Sequence, residues 1–263
     1  MNWYTGDTTF DTVLTIGLIF AFITIISGFF AQSPYGRFAD SKWGMELNPK
    51  LGWWLMEIPA TAVFVWFFWQ GDHPWQLVPM ILGALWLLHY GNRGWVFPLS
   101  IRVAKGGKSS FGIVVMALGM FVTGIHAYMH AMWYTTYGEH FTVEWLTDPR
   151  FIIGLIIYFI GFYLIVTSEY VVRNLRSANP APDEPRYKIP EGFGYKWVSS
   201  PQYLGELIAW TGLSIFTWGL PGVVILLISA GNLVPRAFAT HKWYKEKFPE
   251  YPSDRKALIP YVI

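Results

Sequence analysis

A single ionisable residue, Glu57, lies within the apolar stretch LGWWLMEIPATAVFVWFFW at residues 51–69. A carboxylate in the hydrocarbon of a bilayer costs at least about 2.5 kcal/mol, so such residues usually face a cavity or a partner and serve a function. A purely structural Glu, hydrogen-bonded to a neighbouring helix, is the alternative. The stretch therefore predicts a buried acid whose partner comes from elsewhere in the chain.

Tyr90 is the first candidate partner. It stands near the end of an apolar run that would cross the bilayer in the opposite direction to the helix of Glu57. At a rise of 1.5 Å per residue, Glu57 lies roughly 9 Å from the start of its own helix at Leu51, and Tyr90 reaches a similar depth. An interfacial aromatic residue is the alternative for Tyr90.

Polar residues recur at helical spacing near the ends of three further apolar runs. Residues three and four apart share one face of a helix. The sets are Glu169, Arg173 and Arg176, then Gln202, Glu206 and Trp210, and then Arg236, Thr240 and Tyr244. Ordinary membrane anchors are the alternative for the two arginines of the first set. Ser200 followed by Pro201 has the pattern of a helix start, which offers backbone donors to an anion.

The composition indicates a membrane protein. Of 263 residues, 53% are hydrophobic and only 14% are charged, against roughly 25% charged in soluble domains. The apolar residues form blocks of about 20, the length that crosses a bilayer as a helix. Because the sequence has no Cys, disulfides, thiol nucleophiles, iron–sulfur clusters and thiolate zinc sites are excluded.

We expect an all-α membrane protein with seven transmembrane helices in a single domain, residues 1–263. The expected spans are 12–31, 51–69, 76–98, 111–134, 150–172 and two helices within 202–236. That last run is too long for one span. We divide it at 218–221, where Pro221 disfavours helix at the residue before it. A single kinked helix is the alternative.

The basic residues indicate the orientation. The loops 32–50, 92–109 and 173–201 and the tail 236–263 contain 18 of the 19 Lys and Arg residues, and only Arg150 lies on the other side. The positive-inside rule then places the N-terminus outside and the C-terminus in the cytosol. The polar sets therefore collect in the cytosolic half of the membrane. The lack of an N-x-Ser/Thr sequon suits a bacterial inner membrane.

Several other kinds of site are not expected. His126 and His130 have the i, i+4 spacing of metal ligands, but one pair falls short of the many histidines of a membrane di-iron enzyme. The Gly-Phe-Gly sequence at 192–194 lacks the third Gly of a dinucleotide fingerprint, and there is no Walker loop or nucleophile elbow. We expect neither a metal nor a nucleic-acid partner. Any nucleotide has to bind at helix ends and loops.

The last third of the sequence contains a series of motifs. They are Ser168-Glu169-Tyr170-x-x-Arg173-x-Leu175-Arg176, Tyr187-Lys188-Ile189-Pro190-x-Gly192, Tyr203-Leu204-Gly205-Glu206, Thr217-Trp218-x-Leu220-Pro221, Arg236-Ala237-Phe238 and Tyr251-Pro252-Ser253-x-Arg255-Lys256-Ala257-Leu258-Ile259-Pro260. Thinner matches upstream are Ser33-Pro34-Tyr35-Gly36, Trp53, Glu57-x-Pro59 and His89-Tyr90-x-x-Arg93. Together these motifs resemble the steroid 5α-reductase family, most strongly over 165–263.

The resemblance implies an NADPH-dependent reductase of 3-oxo-Δ4-steroids within a seven-helix membrane fold. It implies that Glu57 and Tyr90 hold the 3-ketone of the substrate and that Trp53 and Trp210 flank the steroid. It also implies an NADPH site, most of it within 165–263, made by Tyr35, Arg102, Glu169, Arg176, Tyr187, Gln202, Glu206, Arg236, Thr240 and Tyr244.

Some positions depart from better-known members of the family. An asparagine is replaced by Ile165 and another by Gln202, a histidine by Thr240, an aspartate by Glu169 and a basic residue by Ala104. We expect Lys105 or Lys108 to supply the missing charge.

The implied chemistry suits these side chains. Reduction of a conjugated enone puts hydride on the β-carbon, C5 of the steroid, while negative charge develops on the ketone oxygen. A preorganised donor at that oxygen, in a site closed to water, lowers the barrier. We expect Glu57 to act there as a neutral acid that donates or shares a proton with Tyr90. Arginines suit the phosphates of NADPH because the planar guanidinium binds oxyanions bidentately.

Three other functions stay open at this point. A related sterol reductase would reduce a different double bond. An isoprenylcysteine-type methyltransferase using S-adenosylmethionine shares a similar C-terminal layout, but its expected Arg-His-Pro element is absent. A transporter or scaffold with a structural Glu57 is the non-enzyme alternative.

Overall fold

The computed structural model describes residues 4–31, 34–38, 44–102, 111–177, 184–185 and 187–263, with Arg37 described only along its backbone. Within these residues the protein is almost entirely helical. The helices are α1 (Thr8–Gly28), α2 (Pro49–Gln70), α3 (Leu77–Tyr90), α4 (Phe97–Ser100), α5 (Ile113–Met132), α6 (Pro149–Asn174), α7 (Pro201–Thr217) and α8 (Leu220–Lys247). Two short strands, β1 (Glu46–Leu47) and β2 (Phe111–Gly112), pair antiparallel and join the starts of α2 and α5.

Polar caps determine where three of the long helices begin. The side chain of Asp7 accepts from Phe10 N at 2.7 Å, and Asp148 accepts from Arg150 N at 2.8 Å. Asn48 caps α2 in the same way. These side chains satisfy backbone donors that a helix start leaves free. The Arg150 side chain also donates to Asp148 and lowers the pKa of that carboxyl to about 2, which keeps the cap ionised.

The turn between α7 and α8 confirms the predicted division of the run 202–236. Helix α7 ends at Thr217. The next residue, Trp218, has a positive φ of 44°, a left-handed conformation that ends a right-handed helix. Helix α8 then starts at Leu220 with Pro221 in its first turn. The alternative of one kinked helix is wrong.

The expected helix at 76–98 is not uniform. Helix α3 ends at Tyr90, a π-helical segment covers Gly91–Val96, and α4 follows directly. The wider π turn presents Gly94 to α2, where a Cβ would lie 3.1 Å from the Cβ of Glu57. Wide turns of this kind often occur at functional sites.

Helices α6 and α7 approach each other through small residues. A Cβ on Gly161 would lie 2.4 Å from Ala209 N, and a Cβ on Gly205 would lie 2.8 Å from Gly161 O. Such close backbone packing is typical of helices in membranes, where association depends on van der Waals contact. The other main pairs are α2 with α5, α1 with α8 and α7 with α8.

Five helices of the described residues are long and apolar enough to cross a membrane: α1, α2, α5 with its π-helical extension to Tyr137, α6 and α8. Large apolar side chains are exposed along these helices, among them Ile19, Phe22, Ile23, Trp66, Ile153, Ile156 and Ile160. A surface of this kind is suited to lipid rather than water. Helices α3 and α7 are shorter than the other long helices.

The chain after α8 folds back onto the start of α7. Ser199 N donates to Lys256 O at 2.8 Å, and Lys256 N donates to Trp197 O at 2.9 Å. The Ser199 hydroxyl also bonds Tyr251 Oη at 2.7 Å, and Arg255 donates to Pro190 O at 3.1 Å. This contact fixes the first turn of α7 from outside the bundle.

We predict that Gly161→Ala lowers the melting temperature of the detergent-purified protein by several degrees, because the added methyl forces α6 and α7 apart. Gly124→Ala is the matched control on α5, where a Cβ meets only Pro59 Cβ at 3.8 Å. That control should leave the melting temperature unchanged or raise it, since Ala favours helix by about 0.8–1.0 kcal/mol over Gly. Equal melting temperatures for the two variants would contradict the close-packing account.

Candidate active site

One guanidinium joins three elements at the centre of the bundle. Glu57 lies two turns into α2 with its side chain 1% exposed. Arg93, in the π-helical segment, donates from Nε to Glu57 Oε1 at 2.9 Å. Its Nη1 pairs with Oε1 of Glu206 on α7. The acid at 57 therefore has a cationic partner that comes from the chain just beyond Tyr90.

Histidine and tyrosine side chains extend this cluster towards α6. His89 Nε2 lies 3.9 Å from Glu206 Oε2, and its Nδ1 lies 3.4 Å from Tyr158 Oη. The ring of His89 also packs against Trp210, with centroids 4.3 Å apart. The cluster is therefore held from four helices, with little freedom to rearrange.

A cavity of about 380 Å³ opens beside the Glu57–Arg93 pair. This volume falls within the range of about 300–1,000 Å³ for small-molecule sites. Much of its wall is apolar, formed by residues that include Phe20, Leu118, Val122, Ile225, Ile228 and Leu233. Oε2 of Glu57 is buried and has no hydrogen-bond partner among the described residues. The cavity thus combines apolar walls with one carboxyl oxygen that can bond a ligand.

The four residues expected at the substrate all line this cavity: Trp53, Glu57, Tyr90 and Trp210. Tyr90 is 2% exposed. Trp53 makes edge contacts with Tyr35 and Phe111 at centroid distances of 6.1 and 5.9 Å. Two of the expected cofactor residues, Tyr35 and Glu206, line the same cavity.

The other eight expected cofactor residues do not line this cavity. They are placed by contacts around it. Arg236 lies over the ring of Tyr35, 3.6 Å from its centroid, and donates to Tyr35 O at 2.8 Å. Its Nε donates to Tyr203 Oη at 2.8 Å. Arg236 therefore holds Tyr35 in place against Trp53.

Arg102 and Arg176 hold each other's backbone. Arg102 Nη1 donates to Arg176 O at 2.6 Å, and Arg176 Nη1 donates to Arg102 O at 2.7 Å. About two turns earlier, on α6, Glu169 Oε2 accepts from Asn92 Nδ2 at 2.9 Å. The end of α6 is thereby joined to the π-helical segment and to the chain after α4. Lys105 and Lys108, expected to add charge here, lie outside the described residues, as does Ser33.

The remaining expected residues lie along α7, α8 and the connection before α7. Gln202 accepts from Tyr195 Oη at 2.9 Å, and Thr240 is buried. Tyr244 stacks on Tyr251, and Tyr187 packs against Trp243 at 4.9 Å. These contacts place all four residues towards the same end of the bundle as the end of α6.

This end of the bundle fits an anionic nucleotide. Ser200 Oγ, at the first position before α7, is buried without a hydrogen-bond partner among the described residues, and its side chain does not cap the helix. The start of α7 therefore keeps the Ser200 hydroxyl and a positive dipole end for an anion. Arg176, two residues after the end of α6, and Arg102, which is bonded to it, add two guanidinium groups just beyond α6. No group of three or more His, Cys, Asp or Glu residues within the described part of the chain could hold a metal ion.

Arg93 has the largest role that the sequence did not predict. It stands inside the His89-Tyr90-x-x-Arg93 motif, where no sequence pattern indicates its partner. The same holds for Asn92. The available signal was a charged residue three positions after Tyr90, at the end of an apolar run, where it reads equally well as a membrane anchor.

The comparisons with known proteins agree on one family. A model of the family described as 3-oxo-5-alpha-steroid 4-dehydrogenase matches residues 108–263. The steroid 5-alpha-reductase DET2 of Arabidopsis thaliana is 34% identical over 261 residues, covering 98% of each chain. The 3-oxo-5-alpha-steroid 4-dehydrogenase 1 of Rattus norvegicus is 32% identical over 96% of this chain and 95% of its own. The chain belongs to the 3-oxo-5-alpha-steroid 4-dehydrogenase family.

Family membership confirms the resemblance over nearly the whole chain, since the human 3-oxo-5-alpha-steroid 4-dehydrogenase 1 also matches at 31% identity over 88% of this chain and 86% of its own. The protein is accordingly an oxidoreductase that acts on a CH–CH bond. This assignment excludes the methyltransferase and the non-enzyme alternatives.

We predict that Arg93→Met destabilises the protein by about 3–5 kcal/mol, because it leaves two buried carboxyl groups without their cation. Adding Glu57→Gln and Glu206→Gln to that variant should recover part of the loss, since no buried charge is then left unpaired. Thermal unfolding in detergent without added ligand measures the loss of stability and its partial recovery.

Lys242→Met is the matched control, because Lys242 and Glu246 form a pair whose side chains are 78% and 64% exposed. Exposed pairs contribute about 0–1 kcal/mol. If Arg93→Met were no more destabilising than this control, the central role of the buried cluster would be refuted.

Proposed function

We propose that the protein reduces the Δ4 double bond of 3-oxo-Δ4-steroids with NADPH inside the membrane. The observation that carries the proposal is Glu57 Oε2, which has no hydrogen-bond partner among the described residues. Glu57 and Tyr90 both line a cavity of about 380 Å³ with largely apolar walls. An apolar molecule with one ketone matches such a cavity. The steroid 5-alpha-reductases to which the chain is similar support this substrate class.

The charges around Arg93 favour one protonated carboxyl group, and we assign the proton to Glu57 because its Oε2 has no hydrogen-bond partner among the described residues. Arg93 carries one positive charge between the carboxyl groups of Glu57 and Glu206. If both carboxyls were ionised, one negative charge would be left without a counterion in a buried site. A proton on Glu57 Oε2 balances the cluster, while Oε1 still accepts from Arg93. That proton can then be donated to the ketone of a substrate.

Glu57 and Tyr90 would together stabilise the charge that develops during reduction. Negative charge appears on the ketone oxygen when the conjugated double bond is attacked at C5. Two fixed donors in a site with apolar walls stabilise that charge without having to reorganise. Trp53 and Trp210 would orient the ring system over the reacting carbon. When bound, NADPH would supply the hydride; the second hydrogen of the product is a proton that adds at C4 as the enolate returns to the ketone.

Two of the residues proposed to hold NADPH, Arg102 and Arg176, meet just after the end of α6. Arg102 and Arg176 would bind phosphate oxygens, and the start of α7 would provide backbone donors. Tyr35, Glu169, Tyr187, Gln202, Glu206, Arg236, Thr240 and Tyr244 complete the proposed set. Glu206 contacts Arg93, so the proposed cofactor region adjoins the acid of the substrate site.

We place seven spans across the membrane, with the N-terminus outside and the C-terminus in the cytosol. The continuous helical stretch α3–π–α4 and the shorter α7 would join the five longest helices. The distribution of Lys and Arg supports this orientation, and a bacterial inner membrane is the proposed location. NADPH would then enter from the cytosol, and the steroid would arrive from the bilayer.

We predict that the purified protein converts testosterone or progesterone, with NADPH, into a product heavier by two hydrogens. Glu57→Gln and Tyr90→Phe should each lower kcat by about a hundredfold or more, as expected when a donor to a developing oxyanion is lost. Glu246→Gln, on an exposed carboxyl, is the control. Mass spectrometry of the steroid measures turnover. Rates like those of the wild type in both folded variants would contradict the catalytic roles of these two residues.

We also predict that NADPH raises the melting temperature of the purified protein more than NADH does. A ligand at one hundred times its Kd stabilises the folded state by about 2.7 kcal/mol. The rise should be smaller in Arg102→Ala and Arg176→Ala, each measured against its own melting temperature, and retained in Lys242→Ala. No rise at millimolar NADPH in the wild type would overturn the cofactor assignment.

A further inference from the structure

His126 lines the cavity proposed to bind substrate, and neither of its ring nitrogens bonds another of the described residues. It lies on α5 and is only 1% exposed. Within the described part of the chain, neither Nδ1 nor Nε2 has a hydrogen-bond partner. Buried side-chain polar atoms are partnered in the large majority of cases, so this histidine calls for an explanation.

The ring has little room to turn towards a partner elsewhere in the protein. It packs between Trp86 and Trp210, at centroid distances of 4.6 and 5.4 Å. Trp86 is itself fixed, because its Nε1 donates to Ala60 O at 2.8 Å. The ring of His130 closes a further side at 4.3 Å. His126 is also one of the residues that line the cavity.

The neighbouring contacts place His126 close to the proposed ketone site. One turn earlier on α5, Thr123 Oγ1 donates to Met56 O at 2.9 Å, which holds this part of α5 beside Glu57. The ring centroids of His126 and Tyr90 lie 5.9 Å apart. His126 thus faces the same space as the two residues proposed to bind the substrate.

The chemistry of the ring defines the ligand. A neutral imidazole has one N–H donor and one lone-pair acceptor. The cavity around it has largely apolar walls, and the proposed substrate is a hydrocarbon ring system with a few oxygen atoms. A carbonyl oxygen can accept from the N–H, and a hydroxyl group can bond either nitrogen.

We propose that His126 is a substrate-binding residue that hydrogen-bonds an oxygen atom of the steroid. This inference rests on the proposed function. The oxygen is either the 3-ketone, which His126 would share with Glu57 and Tyr90, or a hydroxyl or keto group elsewhere on the ring system. In both cases the residue selects oxygenated steroids, which an apolar side chain of similar size would not do.

Three variants test the inference. His126→Phe keeps an aromatic ring against Trp86 and Trp210 and removes both nitrogens. His126→Asn restores a donor and an acceptor and serves as the conservative rescue, and as the second variant if Phe does not fold. His130→Phe is the matched control: His130 is also fully buried, with an unpartnered Nε2, but it does not line the cavity.

The ligands are progesterone, which carries a second oxygen, and androst-4-en-3-one, which has only the 3-ketone. The Kd of each, without NADPH, is measured from the quenching of tryptophan fluorescence, and kcat and KM are then measured with NADPH. Loss of one hydrogen bond between neutral groups should weaken binding about threefold to tenfold in His126→Phe. His126→Asn should recover part of this, and His130→Phe should bind like the wild type.

The two ligands separate the two possible oxygens. Weaker binding of progesterone alone would assign His126 to the second oxygen. Equal weakening of both steroids, with a lower kcat, would assign it to the 3-ketone. Unchanged Kd and kcat/KM for both steroids in folded His126→Phe would overturn the inference while leaving the proposed function intact. A wild-type protein that neither binds nor reduces either steroid would overturn the proposed function and this inference with it.

Discussion

The pairing of one arginine with two buried carboxyl groups is the constraint on which the rest of the site depends. Arg93 reaches Glu57 on α2 and Glu206 on α7 from a segment between α3 and α4. Removing such charges from water costs several kcal/mol each, and the attraction repays this only in good geometry. The geometry therefore has to be built into the backbone. The π turn and the small Gly94, placed against Glu57, provide it.

The cluster also divides the interior into two regions of different chemistry. On one side, Glu57 faces a cavity whose walls are mainly apolar and aromatic. On the other, Asn92 joins Glu169 near the end of α6, where the proposed nucleotide residues lie. The proposed reaction, between an apolar substrate and a charged cofactor, would need such a boundary, because the two ligands prefer apolar and polar surroundings while their reacting atoms have to meet. The buried ion pairs define it at a fixed place in the bundle.

The sequence predicted those parts of this arrangement that follow from composition and simple periodicity. Glu57 is conspicuous because it is a charge in an apolar run, and the turn at Trp218 follows from Pro221. Arg93 could not be predicted as its partner, because patterns with a period of 3.6 residues do not anticipate a π turn, and an arginine at the end of an apolar run also suits a membrane anchor. The spacing of His126 from His130 suggests only a metal ligand. The orphaned nitrogens of His126 become visible only when the packing of Trp86 and Trp210 around it is known.

The most specific motif of the sequence, at residues 251–260, lies far along the chain from Glu57. Its contacts in the structure explain how it can affect the buried cluster. Tyr251 bonds Ser199, and the backbone of Lys256 exchanges hydrogen bonds with the residues on either side of Val198. These contacts fix the point at which α7 begins. Since residues of a helix follow one another by 1.5 Å and 100°, fixing its start fixes where Glu206 lies. A shift of one residue there would turn Glu206 away from Arg93 and leave the cation with only one carboxyl group. The tail therefore contributes to the chemistry by setting the register of the helix that completes the buried cluster.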